Sequence, residues 1–277
     1  ELYLGDDLNL LFDSDGTLRS LYTYLYGKGS YSGQAIVDGD YANEQTKNSG
    51  VGFGWLDDYG WHDTEDGILA GYTFTEQTDT WAQDTYAATN ALQQGAQWES
   101  QRTSANGVLS FDGADDYVML DDTVIRSKDL QISLAALWKG GTAKQNLFWF
   151  GDETAYMAFT PCNENGVAEL TITDGQTTEH LTASAPLVKG EWSKITIRII
   201  DGKGTLLING SQAASSSLSL TPLAVMSAAQ DDYAFLGKGM TDRNFKGAVD
   251  YMNFYFKEVE EPQLTYSGSE AVDNTDP

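Results

Sequence analysis

The chain has 277 residues, 41% hydrophobic and 12% aromatic, enough to bury one sizeable core, and all-β sandwiches of about 200–250 residues commonly form one domain. Sixteen basic residues against 41 acidic ones give a formal net charge of −25, which excludes nucleic acid as a partner class and disfavours anionic lipids and strongly anionic polysaccharides, while neutral glycans and divalent cations stay open. The single cysteine, Cys162, excludes an intrachain disulfide and is expected to be a small buried hydrophobe.

The sequence opens on Glu1-Leu2-Tyr3 without an initiator Met or a charged-then-apolar leader, the start expected of a mature chain, and no apolar run approaches the ~20 residues of a membrane-spanning helix. Residues 1–67 are rich in Gly, Tyr and Asp. Strands are expected there at Leu8–Phe12 and Leu18–Leu25, followed by a Trp-dense acidic stretch from Val51 to Asp66, so this N-terminal accessory segment is read as extra strands or a small β domain. Asp13-Ser14-Asp15-Gly16 reads as a β-turn.

From Ile68 onward the apolar residues recur with period two. In Lys194-Ile195-Thr196-Ile197-Arg198-Ile199 the isoleucines share one face and the polar residues the other, the pattern of a half-buried strand. Similar runs predict strands at Ile68–Phe74, Val108–Phe111, Tyr117–Leu120, Leu130–Trp138, Asn146–Phe150, Tyr156–Phe159, Ala168–Thr173, Thr205–Ile208, Tyr233–Leu236 and Tyr251–Phe256. Asp112-Gly113, Asn165-Gly166, Asp174-Gly175 and Asn209-Gly210 supply the positive φ of tight hairpins between them. Asp84–Gln94 and Thr221–Gln230 are the candidates for short helices, and neither carries an apolar stripe. Residues 261–277 are polar and acidic and read as a linker or tail.

Three stretches carry a family resemblance: Leu109-Ser110-Phe111-Asp112-Gly113-Ala114-Asp115-Asp116-Tyr117-Val118; then Glu191-Trp192-Ser193-Lys194-Ile195-Thr196 with Leu206-Leu207-Ile208-Asn209-Gly210; and Gly247-Ala248-Val249-Asp250-Tyr251-Met252-Asn253-Phe254-Tyr255. In this order they resemble the laminin-G-like branch of the concanavalin A-like jelly rolls of bacterial secreted proteins. The resemblance implies an all-β, two-sheet antiparallel sandwich over residues 68–260. It also implies a structural calcium ion held by Asp84 and Asp250, against the simpler reading of Asp250 as a buried acceptor for backbone amides.

The same fold houses glycoside hydrolases and lyases, so catalysis must be argued from residues. Retaining glucanases aim two carboxylates into a cleft at about 5–5.5 Å separation, from a Glu-x-Asp-x-x-Glu strand that is missing here. Asp152-Glu153 and Glu258-Val259-Glu260-Glu261 read as solvated surface charges, and His62 and His180 as exposed loop histidines. Glycan binding rests instead on aromatic supply, because the C–H faces of sugar rings stack on exposed rings while their hydroxyls seek carboxylates and amides. Trp55, Asp57, Asp58, Tyr59 and Trp61 offer that mixture, joined by Trp81 and Trp98, whereas Trp138, Trp149 and Trp192 read as core. The expected function is a non-catalytic carbohydrate-binding domain, a monomeric module of a multidomain secreted or cell-surface bacterial protein, that takes a neutral polysaccharide. The rival readings are a protein-binding adhesin or structural module, and a glycoside hydrolase or lyase with atypical catalytic residues.

Overall fold

The computed structural model describes residues 67–260 except 75–80, 83, 85–90, 100–106, 143 and 241–242, together with the backbone of 54–57 and 60–63. The expected strands at Leu8–Phe12 and Leu18–Leu25, the turn at Asp13–Gly16, Asp58, Tyr59 and the tail at 261–277 lie outside the described residues. The chain divides into two compact units, Glu1–Asp66 and Gly67–Pro277. In the first, β1 (Gly54–Asp57) and β2 (Gly60–Asp63) pair as an antiparallel hairpin. The second unit holds two antiparallel sheets.

The first sheet has eight strands in the spatial order β13 (Thr178–Thr182), β12 (Glu169–Thr173), β11 (Tyr156–Thr160), β10 (Phe148–Gly151), β17 (Ala234–Leu236), β8 (Tyr117–Met119), β5 (Ala91–Gln94) and β4 (Trp81–Ala82). The second runs β16 (Ser211–Ser217), β15 (Lys203–Ile208), β14 (Trp192–Ile200), β9 (Leu130–Trp138), β18 (Lys246–Tyr255), β7 (Val108–Asp112) and β6 (Gln97–Glu99). In this sheet β3 (Ile68–Tyr72) continues beside β18 past the end of its pairing with β7. The period-two pattern predicts the strands, and their arrangement is the all-β, two-sheet antiparallel jelly-roll sandwich that the family resemblance implies.

Alternation along each strand sends one set of side chains between the sheets. From the first sheet come Phe148, Phe150, Met157, Phe159, Leu170 and Ile172, and from the second Ile132, Leu134, Ile195, Ile197, Val249 and Phe254, all buried in one cluster. Phe148 and Phe150 stack with centroids 4.7 Å apart, and Phe150 meets Phe254 of the opposite sheet at 6.0 Å, so aromatic contact runs across the core. Each such side chain withdrawn from water stabilises the fold by about 1.5–3 kcal/mol.

Two of the sequence readings change here. Of the candidate Asp84–Gln94, the described residues are not helical: Asp84 forms a bridge to Tyr72 and Ala91–Gln94 is β5, whose Ala91 sits in the core. Cys162 is half-buried and packs against the core edge. The second helical candidate does form, as the seven-residue α1 (Pro222–Ala228), with Thr221 accepting the Ala224 amide at 3.1 Å and Pro222 starting the first turn.

Polar side chains close the sandwich where strands cannot. Glu179 on β13 accepts the amides of Ser219 and Leu220 at 3.0 Å, tying the edge of the first sheet to the segment that leaves β16. On the outer face of the second sheet the Gln131 amide pairs with the backbone of Val259 in both directions, at 2.9 and 3.0 Å, and Arg198 also reaches the Val259 carbonyl at 3.3 Å.

Asp152, read from sequence as a surface charge, is buried at 8% exposure. Its Oδ1 accepts the amides of Thr154 and Ala155 at 2.6 and 2.7 Å, and its Oδ2 accepts that of Gln230 at 2.7 Å, joining the β10–β11 turn to the approach of β17. Burial pushes its carboxyl upward, but the amides of Ala155, Gln230, Thr154 and Asp231 outweigh it and hold the group below the ordinary aspartate value of 3.8. A depressed folded value adds stability that is present above the unfolded value and lost as pH falls through the folded one. Asp152→Asn is therefore expected to cost about 1–3 kcal/mol in urea unfolding at neutral pH. The difference between wild type and variant should shrink below about pH 4, and a pH-independent difference would contradict the assignment.

Candidate functional site

The cross-strand register of the first sheet lines up one residue from every strand: Trp81, Leu92, Met119, Phe235, Trp149, Ala158, Thr171 and His180. Directly paired residues point to the same side of a sheet. Their sequence neighbours Val118, Phe148, Phe150, Phe159, Leu170, Ile172 and Leu236 fill the core, so this row lies on the outer face. Strands spaced about 4.8 Å apart make it about 34 Å long.

Its middle is aromatic and built in two tiers. Phe235 and Trp149 are the lower rings, at 6% and 4% exposure. Tyr233 stacks on Phe235 at 5.2 Å and Tyr117 meets the same ring edge-on at 5.4 Å, while Tyr156 stacks on Trp149 at 4.0 Å with an interplanar angle of 24°. The Lys238 ammonium lies over Tyr117 at 4.5 Å and over Phe235 at 5.0 Å. Trp149 is fixed in turn by its indole N–H, which donates to the Asp152 carbonyl at 3.1 Å. Gly151, opposite Tyr156, has φ 107° and a Cβ there would fall 2.2 Å from the Ala155 carbonyl oxygen, so this close approach requires glycine. Trp81 and Met119 complete the apolar half, at 46% and 40% exposure.

The other half is polar. Beyond Trp149 the row drops to the small Ala158, and a pocket of about 230 Å³ opens between Trp149, Tyr156 and the side chains of Asn146, Glu153, Thr160, Glu169 and Thr171. Glu169 accepts the Thr182 hydroxyl at 2.8 Å and lies 3.6 Å from His180 Nδ1, which also meets the Thr171 hydroxyl at 3.2 Å. Asn146 accepts from the Thr160 hydroxyl at 3.3 Å. Lys144, at the rim, is engaged by Glu164 at 2.7 Å. Burial pushes the Tyr156 hydroxyl above its ordinary value of 10.0, with Lys144 pulling it down and Glu169 adding to the rise. The phenol is therefore a hydrogen-bond donor throughout the neutral range. The arrangement offers accessible aromatic rings, carboxylate and amide groups for hydroxyls, and one recess.

The residues singled out from sequence are dispersed. Trp81 is the member on this face. Trp98 belongs to β6 of the second sheet, where it is half-buried against the core. In the hairpin of the first unit the register pairs Trp55 with His62, Leu56 with Trp61, and Asp57 with Gly60, so positions 55 and 61 are not cross-strand partners. Trp138 is core and donates to Gln145 at 3.0 Å, whereas Trp192 packs in a small outer cluster of the second sheet with Ala135, Leu137 and Ala248. Trp149 is buried as expected but on the outer face, because it alternates with two core phenylalanines. His180 is exposed but belongs to strand β13 rather than a loop. Sequence reading missed Tyr117, Tyr156, Tyr233 and Phe235. Their signal was the same period-two alternation, followed to the face opposite the core.

Of the metal candidates, Asp84 is buried, and its Oδ1 accepts the Gly71 amide at 3.0 Å beside the bridge to Tyr72. Asp250 is 3% exposed and sits where the pairing of β18 with β9 shifts register, two residues before the Met252 that pairs with Tyr72. Both carboxylates thus flank the β3–β18 pairing. Among the described residues, Asp112, Asp115 and Asp116 bring carboxylate oxygens within 4.8 Å of one another, and two of the three accept backbone amides of their own turn. Among those residues no helix is long and apolar enough to cross a membrane.

Comparison with solved structures finds the same fold. Domain 4 of AbnA, a GH43 extracellular arabinanase from Geobacillus stearothermophilus, solved with arabinotriose, superposes at a TM-score of 0.58 with 18% identity over 72% of this chain and 94% of that one. The receptor binding domain of botulinum neurotoxin mosaic serotype C/D gives 0.53 with 15% identity over 70% of this chain and 48% of that one. Trypanosoma rangeli sialidase, solved with the inhibitor DANA, gives 0.51 with 9% identity over 70% of this chain and 31% of that one. Comparison with curated protein sequences finds no match. Residues 112–265, more than half of the chain, match the family model for the Concanavalin A-like lectin/glucanases superfamily, and the chain belongs to that superfamily.

Proposed function

We propose that the second unit is a non-catalytic carbohydrate-binding module that takes a neutral polysaccharide on the outer face of its first sheet, as a monomeric module of a larger secreted or cell-surface bacterial protein. The observation that carries this reading is the two-tier aromatic row: accessible Tyr233, Tyr117 and Tyr156 are held by buried Phe235 and Trp149, so little side-chain freedom is left to lose on binding. A sugar ring stacked there finds Glu169, Glu153, Asn146 and the Tyr156 hydroxyl within the adjoining pocket. The net charge of −25 and the two pocket carboxylates favour uncharged hydroxyls over sugar acids. The likeness to an arabinanase domain solved with arabinotriose makes neutral plant-type glycans the first panel to try. The proposal extends to a structural calcium ion at Asp84 and Asp250, where hard oxygen ligands flank the β3–β18 pairing.

A second reading rests on Glu153 and Glu169 lining one pocket: two carboxylates in a recess are also what glycoside hydrolysis uses. Glu169 is engaged by Thr182, which suits an acceptor for ligand hydroxyls. Release of reducing ends from a bound polysaccharide, abolished by Glu153→Gln or Glu169→Gln, would establish the hydrolase and overturn the non-catalytic module.

Isothermal calorimetry against arabinan, xylan, mannan and β-glucan is expected to show binding to at least one of them. Tyr156→Ala should weaken it about tenfold, the equivalent of about 1.4 kcal/mol. Because the Tyr156 phenol keeps its proton, affinity should stay level from about pH 7 to about pH 9; a fall across that range would contradict its role as donor. Addition of EDTA is expected to lower the Tm by about 4 °C or more, with recovery on excess calcium, as loss of a bound ion requires. Asp250→Asn should remove that response, and a Tm indifferent to EDTA would dispose of the ion.

A further inference from the structure

The outer face changes character at one strand. From β4 to β10 every position of the row is large and apolar: Trp81, Leu92, Met119, Phe235 and Trp149. On β11 the row drops to Ala158, 3% exposed, and the pocket of about 230 Å³ lies there. A linear polysaccharide lying across the strands would stack on the rings and then bridge an unfilled recess. Leaving that recess unoccupied would forgo hydrogen bonds to Asn146 and Glu169, which line it and whose side-chain oxygens accept the Thr160 and Thr182 hydroxyls.

We propose that the face reads a branched neutral polysaccharide: main-chain sugars stack along the aromatic half of the row, and a pendant sugar descends into the pocket floored by Ala158. This deepens the carbohydrate-binding reading and rests on it. The rise between strands, about 4.8 Å, is close to the length of one sugar unit, so successive units of a chain crossing the sheet meet the accessible Trp81 and Met119 and then the tyrosines that stand over Phe235 and Trp149. Trp149 and Tyr156 form one wall of the recess, giving a pendant ring an apolar side, while Asn146, Glu169 and Thr171 supply the polar side. Charge decides the kind of pendant group. The pocket holds Glu153 and Glu169, and its rim cation Lys144 is engaged by Glu164 at 2.7 Å, so a neutral sugar fits and a uronic acid is repelled.

The test uses the full chain and pairs of commercial polysaccharides that share a main chain: linear xylan against arabinoxylan, and linear mannan against galactomannan. Affinity electrophoresis is expected to show at least one branched member retarded about tenfold more strongly than its linear partner. Ala158→Phe fills the recess from the surface side of the strand. It should remove the preference by weakening the branched ligand about tenfold while leaving the linear one within about twofold. Trp81→Ala, four strands from Trp149, should weaken both members alike. An unchanged melting curve shows that Ala158→Phe is folded, and Ala158→Ser serves as the mild variant that keeps the recess open and the preference intact. Equal binding of linear and branched partners, unaffected by Ala158→Phe, would overturn the branch pocket and leave the carbohydrate-binding module standing. Failure of every polysaccharide, branched or linear, to bind would remove the module itself and the branch pocket with it.

Discussion

The pleat of the first sheet is the constraint on which the rest of the molecule depends. Side chains of a strand must leave it alternately on opposite sides, so one tripeptide, Phe148-Trp149-Phe150, supplies two core rings and the lower ring of the outer platform. Stability and the candidate site are thereby fixed by the same backbone. A slip of one residue in β10 would turn Trp149 into the core and expose both phenylalanines. The buried set of Phe148, Phe150, Phe159 and Phe254 is what forbids the slip, because Phe150 would lose Phe254 across the sandwich and Phe148 its stacking on Phe159 within the sheet.

Polar groups hold this register at the strand ends. Asp152 gathers amides from the β10–β11 turn and from the segment before Tyr233, so the two tyrosines that stand on Phe235 and Trp149 belong to backbone tied to a single carboxylate. That arrangement explains how rings that are only partly covered acquire fixed orientations: they inherit them from buried neighbours and from a satisfied turn. Glu179 does similar work where β13 ends the first sheet: its two oxygens take the amides of Ser219 and Leu220, which follow β16.

The fold was legible in the sequence because period-two alternation and Asn-Gly or Asp-Gly turns are local signals. Strands β9, β11, β12, β14, β15 and β18 follow from them to within a few residues. The strands that escaped notice lack the apolar half of the pattern. β13 reads Thr-Glu-His-Leu-Thr and β16 is mostly serine, because each stands at a sheet edge and packs little. Ala91–Gln94 passed for helix since alanine and glutamine favour one, and tertiary pairing with β8 overrode that preference. The site was less legible for a different reason. Its members come from strands far apart in the chain, and adjacency of Trp81, Met119, Phe235 and Trp149 exists only once the strand order is known. Counting tryptophans favoured clusters such as Trp55 to Trp61, whereas the accessible rings of the platform are mostly tyrosines, each followed in sequence by an apolar core residue, Val118, Met157 or Ala234.

Where the chain at Val259 is anchored has a mechanical consequence. Gln131 and Arg198 grip its backbone on the outer face of the second sheet, on the opposite side of the sandwich from the aromatic row. Tension arriving there is shared first by β9 and β14, two long interior strands, and does not peel β18 from its end. A pull between the two outer faces would load the interleaved phenylalanines through the thickness of the sandwich, a direction in which many contacts must yield together.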